Sequence, residues 1–207
     1  MKIYSDKELK DQGNKYFNAS KYESAIESYS KAIALNPNVP TYYTNRALCY
    51  MKCNRWPQAV QDSKAALERD SGLVKGHFYL GTSLLELDKL DEAIKHLQLA
   101  FEMAKKDPSS YYDDTISSKL RVARKKKFAL QEEKRVQEEI DLQSYLNRLI
   151  LEDKDRKMNK LREENESYDE ASGEIAKLEE SDITEQTLQT LEKIDKLLAE
   201  AGTNKSR

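Results

Sequence analysis

Turn-forming residues are scarce in this chain, with six glycines and four prolines in 207 residues. A β-sandwich or barrel needs a turn signal about every 8–12 residues, so those architectures are excluded and the chain is expected to be mostly helix. Cysteine is nearly absent. Cys49 and Cys53 stand four apart, which puts them on one face of a helix at a poor disulfide spacing, and no secretory signal opens the chain. A reducing compartment is expected, the cytoplasm with the nucleus as the alternative. No run of about 18 apolar residues occurs, so no membrane span is expected. A Gly-rich phosphate loop, a nucleophile elbow and a Cys–His pairing are all missing. His77 and His96 have no Cys or carboxylate at ligand spacing. No catalytic residue, metal or cofactor is therefore expected within these residues.

Charged residues make up 35% and hydrophobic ones 38%, too lean an apolar content for one large core and better suited to elongated or repeat-built helical packing. The length allows one or two domains. Net charge is −2, which excludes a strongly basic nucleic-acid binder, but the charge is unevenly laid out. Residues 1–105 carry 15 Lys and Arg against 13 Asp and Glu, and the remainder carries 20 against 24. Aromatics are also segregated: beyond position 112 only Phe128, Tyr145 and Tyr168 occur. The first half thus holds the aromatic core, and a boundary is expected between Asp107 and Phe128, where Asp107-Pro108-Ser109-Ser110 supplies a turn. The one basic run, residues 121–127 (RVARKKK), would spread over most of a helix circumference and has no interleaved aromatics. A solvated face is expected there rather than nucleic acid.

What is present is a period of 34 residues. Gly13, Ala47 and Gly81 form one column, Ala25, Ala59 and Ala93 a second, Ala32, Ala66 and Ala100 a third. Larger positions recur with them: Leu9, Tyr43 and His77; Tyr16, Tyr50 and Leu84; Tyr29, Ser63 and Leu97. This resembles the tetratricopeptide repeat, a helix–turn–helix unit of 34 residues, in three copies over 5–38, 39–72 and 73–106. Small residues at Gly13 and Ala25 on facing helices let two axes approach to about 8–10 Å. Ser5-Asp6-Lys7-Glu8 reads as a capping box that starts the first helix near Asp6. Asn36-Pro37 and Val39-Pro40 close the first repeat, and Asp70-Ser71-Gly72 closes the second.

In this family the first helices of successive repeats line a concave face, and Lys10, Asn14, Asn45 and Lys75 fall there. A lone Lys or Asn on a helix surface is usually just solvated; four at these columns match the carboxylate clamp by which some tetratricopeptide co-chaperones grip a Glu-Glu-Val-Asp tail. Ammonium and amide donors converging on carboxylates make charge-assisted bonds, about twice as strong as neutral ones. A fifth clamp donor, an arginine, is usual where Tyr79 stands here, and one chaperone adaptor of the family carries an aromatic there.

Beyond Asp114 the period stops. Leu142, Tyr145, Leu146, Leu149 and Ile150 make a dense stripe at spacings of three and four, on a helix expected from about Thr115 to about Glu164, on the order of 75 Å long. A second helix is expected from Ser181 as N-cap through Ile183, Leu188, Leu191, Ile194 and Leu198 to Gly202 as its stop. The resulting hairpin, with an acidic Gly-containing connection, leaves a seam that calls for a partner chain.

With the stretches 42–50 (YYTNRALCY), 91–98 (DEAIKHLQ), 121–127 and 142–150 (LQSYLNRLI), the order of parts resembles the CHIP family of chaperone-binding U-box ubiquitin ligases over most of residues 5–160. The resemblance implies an all-α protein: repeats over 5–106, a connector and start of a long capping helix over 107–127, a coiled-coil-like dimerising hairpin over 128–202, and a tail at 203–207. It implies a co-chaperone in the ubiquitin-conjugation and quality-control pathway. Its partners would be the C-terminal tails of the seventy- and ninety-kilodalton heat-shock chaperones and a second copy of itself, with no nucleic acid and no membrane. Tail binding would fall to Lys10, Asn14, Asn45 and Lys75, with Phe78 and Tyr79 on the apolar residues of the tail, and further contributors among Tyr111, Tyr112, Asp113 and Asp114. Dimerisation would fall to Tyr145, Leu146, Leu149, Ile150, Leu188, Leu191, Ile194 and Leu198. No U-box sequence is found up to Arg207, so a ubiquitin-conjugating enzyme is a partner only if a U-box follows, and these residues alone are expected to transfer no ubiquitin. The alternatives are a chaperone adaptor without ligase function and a scaffold unrelated to chaperones.

Overall fold

The computed structural model describes residues 4–106, 113–165 and 170–204. Among them the chain is all-α, with eight helices and no strand: α1 Asp6–Asn18, α2 Tyr22–Leu35, α3 Pro40–Lys52, α4 Trp56–Arg69, α5 Val74–Glu86, α6 Leu90–Lys105, α7 Asp113–Asn165 and α8 Glu170–Asn204. Two compact units divide after Leu130. The turn expected at residues 107–110, with Tyr111 and Tyr112, lies outside the described residues.

Unit 1 is three tetratricopeptide hairpins, α1/α2, α3/α4 and α5/α6, stacked in chain order. The start of α1 follows from local chemistry: Glu8 N–H donates to Ser5 Oγ at 3.2 Å while Ser5 N–H donates to Glu8 Oε2 at 2.8 Å, so the capping box satisfies two free donors. Pro40 and Pro57 open α3 and α4, where a missing N–H costs nothing.

The 34-residue period is also written in the backbone. Ser20, Asn54 and Asp88 are the described non-glycine residues with positive φ, at 57°, 57° and 59°. Each ends the first helix of its hairpin. Around each, the next residue's N–H reaches back five positions, from Lys21 to Tyr16 O, Arg55 to Tyr50 O and Lys89 to Leu84 O, at 2.9, 2.9 and 3.0 Å. This is a Schellman turn without glycine. Short polar side chains tolerate the left-handed region, so the turn repeats although glycine is scarce.

Inside each hairpin a small residue faces its larger partner column. A Cβ on Gly13 would come within 2.6 Å of the Tyr29 ring, and one on Gly81 within 2.7 Å of Leu97 Cγ. In the middle repeat the column holds Ala47, fully buried, and its partner column shrinks to Ser63. Volume lost on one helix is thus taken up on the other, as dense packing requires.

Unit 1 ends with the start of α7, whose Ile116, Leu120 and Ala123 are buried in one core with Leu80, Leu84, Leu97 and Ala100. The basic run belongs to this docking. Arg124 donates to Gln98 Oε1 at 2.6 Å, and Lys126 and Lys127 pair with Asp88 and Asp91. The run is largely solvent-exposed, as the sequence pattern suggested; the acidic partners on the third hairpin had no local signal. Each pair is exposed and worth little by itself; the buried Ile116, Leu120 and Ala123 carry the docking.

Unit 2 holds the rest of α7 and α8. Gln143 Nε2 donates to Asp195 Oδ1 at 2.7 Å and Arg162 Nε approaches Glu180 Oε1 at 3.3 Å; the partner numbers fall as the first rise, so the helices run antiparallel. α7 is reinforced along its length by pairs such as Arg135 with Glu132 and Glu139, and Lys157 with Asp153. The expectation of an N-cap at Ser181 and a stop at Gly202 is corrected, since α8 already runs from Glu170 and continues to Asn204, into the segment read as a tail. The hydroxyls that follow Ser181 bond backward: Thr184 donates to Glu180 O at 2.8 Å, Thr187 to Ile183 O and Thr190 to Gln186 O at 2.7 Å. Bonded to the preceding turn, they do not compete with helix, and a single Gly173 costs only about 1 kcal/mol.

Gly81→Ala tests the packing. Ala normally gains about 1 kcal/mol over Gly inside a helix, but here its methyl would also lie 3.0 Å from Leu97 N and 3.1 Å from Ala93 O, backbone that cannot step aside. A net loss of about 1–3 kcal/mol is expected in denaturant melts, against little change for Gly72→Ala, whose Cβ meets only Asp70 Oδ1 at 3.3 Å.

Candidate functional site

The polar residues singled out from sequence lie on α1, α3 and α5, the first helices of the three hairpins. Lys10 and Asn14 lie on α1, Asn45 on α3, and Lys75, Phe78 and Tyr79 on α5. α1 is fixed first at its N-terminus: Asp6 accepts from Tyr42 Oη at 3.0 Å and from Asn36 Nδ2 at 3.1 Å. The Tyr42 bond, then that of Asn36, holds the Asp6 carboxyl below its ordinary range. One turn on, Lys10 Nζ sits 2.7 Å from Asp11 Oδ1 with a third of its side chain exposed. A further turn brings Asn14, whose Oδ1 accepts from Tyr29 Oη at 2.7 Å and stands 3.5 Å from Asn45 Nδ2. These two amides, from different repeats, are therefore neighbours.

Lys75 is exposed. Phe78 and Tyr79 are only 8% and 7% exposed, with ring centroids 5.7 Å apart at 47°. They belong to the core beneath the third repeat and can offer a ligand little more than an edge. Of the further contributors, Asp114 is exposed on the first turn of α7, Asp113 is described only as the first residue of that helix, and Tyr111 and Tyr112 lie outside the described residues. In unit 2, Tyr145, Leu149 and Leu188 are exposed, while Leu146, Ile150, Leu191, Ile194 and Leu198 are half-buried. A groove between α7 and α8 is lined by Leu146, Leu149, Ile150, Ile183 and Ile194.

Three polar constellations had no signature in the sequence. Arg46, next to Asn45, forms a bidentate pair with the buried Asp62 at 2.7 Å on both arms, donates to Ser30 Oγ at 2.8 Å, and lies about 6 Å from the Tyr43 and Tyr50 rings, at 6.0 and 5.9 Å. Tyr29 reaches Asn14 across 15 residues. His77 and His96 meet through Nδ1 atoms 3.1 Å apart, with rings stacked at 5.3 Å. All three depend on helix partners that only the 34-residue columns could have hinted at. Cys49 is buried and its thiol is pushed up to about 12 by that burial, which marks packing rather than chemistry. Among the described residues no three His, Cys, Asp or Glu side chains gather as a metal site, and no helix is long and apolar enough to cross a membrane.

Comparison with known proteins adds to this geometry. The CHIP N-terminal tetratricopeptide repeat domain family matches residues 123–207, and a tetratricopeptide repeat family matches residues 13–52. The chain is 38% identical over 117 residues to the E3 ubiquitin-protein ligase CHIP of Arabidopsis thaliana, covering 56% of this chain and 42% of that protein. It is 37% identical over 100 residues to serine/threonine-protein phosphatase 5 of Rattus norvegicus, covering 48% of this chain and 20% of that one. The chain thus spans less than half the length of these relatives. Among solved structures, the first tetratricopeptide domain of Spaghetti (RPAP3) bound to the HSP90 peptide SRMEEVD superposes with a TM-score of 0.53 and 29% identity, over 58% of this chain and 91% of that one.

A pH dependence of the repeat domain is expected from His96. His77 Nε2 lies 3.1 Å from Ser71 O, an acceptor, so Nε2 carries the proton, Nδ1 of His77 accepts, and His96 Nδ1–H donates to it. Burial first, then His77, with Lys95 and Lys64 adding and Glu92 opposing, depresses the His96 imidazole below its ordinary value near 6.5. The unfolded chain then binds the proton more tightly, so the contribution is whole above about pH 6.5 and is lost as pH falls below it. Thermal melts from pH 7.5 down to 5.5 should show a falling Tm, with a shallower slope in His96→Gln.

Proposed function

We propose, for a chain that resembles CHIP in its repeats and in the helices that follow them, that it is a co-chaperone adaptor whose α1/α3/α5 face binds the C-terminal Glu-Glu-Val-Asp tails of seventy- and ninety-kilodalton heat-shock chaperones. In this proposal Lys10 and Lys75 supply positive charge and Asn14 and Asn45 supply amide donors to the terminal carboxylates, while the edges of Phe78 and Tyr79 meet the apolar residue of the tail. The observation that carries it is the meeting of Asn14 with Asn45 across the first two repeats, one turn from Lys10. It is supported by the likeness to a domain solved with a peptide ending in Glu-Glu-Val-Asp.

The proposal extends to a homodimer formed through unit 2, supported by the α7/α8 groove and by Tyr145, Leu149 and Leu188 left exposed beside it. Apolar surface of this kind gains about 25 cal/mol per Å² when a partner covers it. Delivery of chaperone clients into a ubiquitin-ligase pathway, in the cytoplasm, is the wider role that the resemblance to CHIP suggests. An adaptor without a ligase partner would keep the same clamp, and a scaffold unrelated to chaperones would not.

Calorimetry with SRMEEVD as free acid and as C-terminal amide tests the clamp. The free acid should bind and the amide far more weakly. Removing one partner of a desolvated charge pair costs about 2–5 kcal/mol, so Lys10→Ala should weaken the free acid at least tenfold. Equal affinity for the two peptides would sink the clamp.

Light scattering tests the dimer. The full chain should have twice the monomer mass at micromolar concentration, and the chain cut after Leu130 should be a monomer that still binds peptide. The cut must follow α7 that far, because Ile116, Leu120 and Ala123 are buried in the repeat core.

A further inference from the structure

The Tyr29 column shows what that position requires for packing. Leu97 occupies it in the third repeat, against Gly81, as Tyr29 does in the first against Gly13. A hydroxyl is therefore not needed to fill the space. Yet in the first repeat the absence of a Cβ on Gly13 lets the ring pass close under α1, and the hydroxyl emerges at Asn14, donating to Oδ1 at 2.7 Å. The ring is 2% exposed. Burial pushes the phenol up, well above its ordinary value, so it carries its proton at any physiological pH.

A side-chain amide has two faces of opposite character, and rotation by half a turn exchanges them. Toward a carboxylate, the nitrogen face attracts and the oxygen face repels. A buried hydroxyl with its proton needs an acceptor, and Asn14 Oδ1 is the one in reach. With Oδ1 so engaged, and Asn45 Nδ2 approaching the same atom at 3.5 Å, the flipped amide would set Nδ2 against Asn45 Nδ2 and leave the Tyr29 proton without a partner. Resting on the clamp reading, we propose that Tyr29 is a positioning residue: its hydroxyl locks the Asn14 amide with oxygen inward and both nitrogen donors free for the terminal carboxylate, and through Asn14 it orients Asn45. The device acts before any ligand arrives, so part of the ordering cost of binding is already met.

Tyr29→Phe keeps the ring and removes only the hydroxyl. Calorimetry should show SRMEEVD free acid bound about three- to tenfold more weakly, with the C-terminal amide peptide affected less. In the free protein, the Asn14 side-chain NH2 signals in nitrogen-15 NMR should shift and gain mobility. In an Asn14→Ala background, Tyr29→Phe should cost nothing further, which a merely structural role would not produce. Wild-type affinity for the free acid in Tyr29→Phe, unmoved Asn14 signals, or an equal loss in both backgrounds would overturn the inference while leaving the clamp intact. Failure of the wild-type chain to prefer the free acid over the amide would instead remove the clamp, and this inference with it.

Discussion

Close approach of the two helices in each hairpin is the constraint on which the rest of unit 1 depends. It is met by trading volume across the interface, with Gly13 against Tyr29, Ala47 against Ser63 and Gly81 against Leu97. Because the helices lie that close, the turn between them must be short, and the left-handed Ser20, Asn54 and Asp88 provide it. Identical turns give hairpins of one geometry, and hairpins of one geometry stack in register. That register is what sets α1, α3 and α5 side by side and brings Asn14 to Asn45.

The two units are stabilised differently. Unit 1 has continuous cores of buried aliphatic and aromatic side chains, closed at its C-terminal end by the first turns of α7. Unit 2 has a half-buried seam and a series of ion pairs along one helix. Exposed pairs of this kind add only a few tenths of a kcal/mol each.

The polar face of the repeats is also prepared from beneath. Asp6 ties the start of α1 to the loop before α3, Arg46 is held by Asp62 and Ser30, and Tyr29 holds Asn14. Half-buried polar groups of this sort are costly when left without a partner. Of these only the Tyr29 bond reaches a surface amide of α1, that of Asn14.

Periodicity made the architecture legible without coordinates. The small-residue columns at a spacing of 34, the Ser5 capping box and the scarcity of turn residues were enough for an all-α tetratricopeptide array followed by long helices, because those features are local and repeat three times. For the same reason Lys10, Asn14, Asn45 and Lys75 could be placed on the first helices of their repeats. What failed was judged from one residue type alone: Ser181 read as a cap although the hydroxyls after it bond to the preceding turn, and the ion pairs that the exposed run at 121–127 makes with Asp88 and Asp91 went unread. Tertiary structure alone decided which polar groups meet, because hydrogen bonds such as Tyr29 to Asn14, Arg46 to Asp62 and His77 to His96 join residues 15 to 19 apart. Such pairs exist only once two helices have packed at one particular distance and rotation, which no stretch of sequence records by itself.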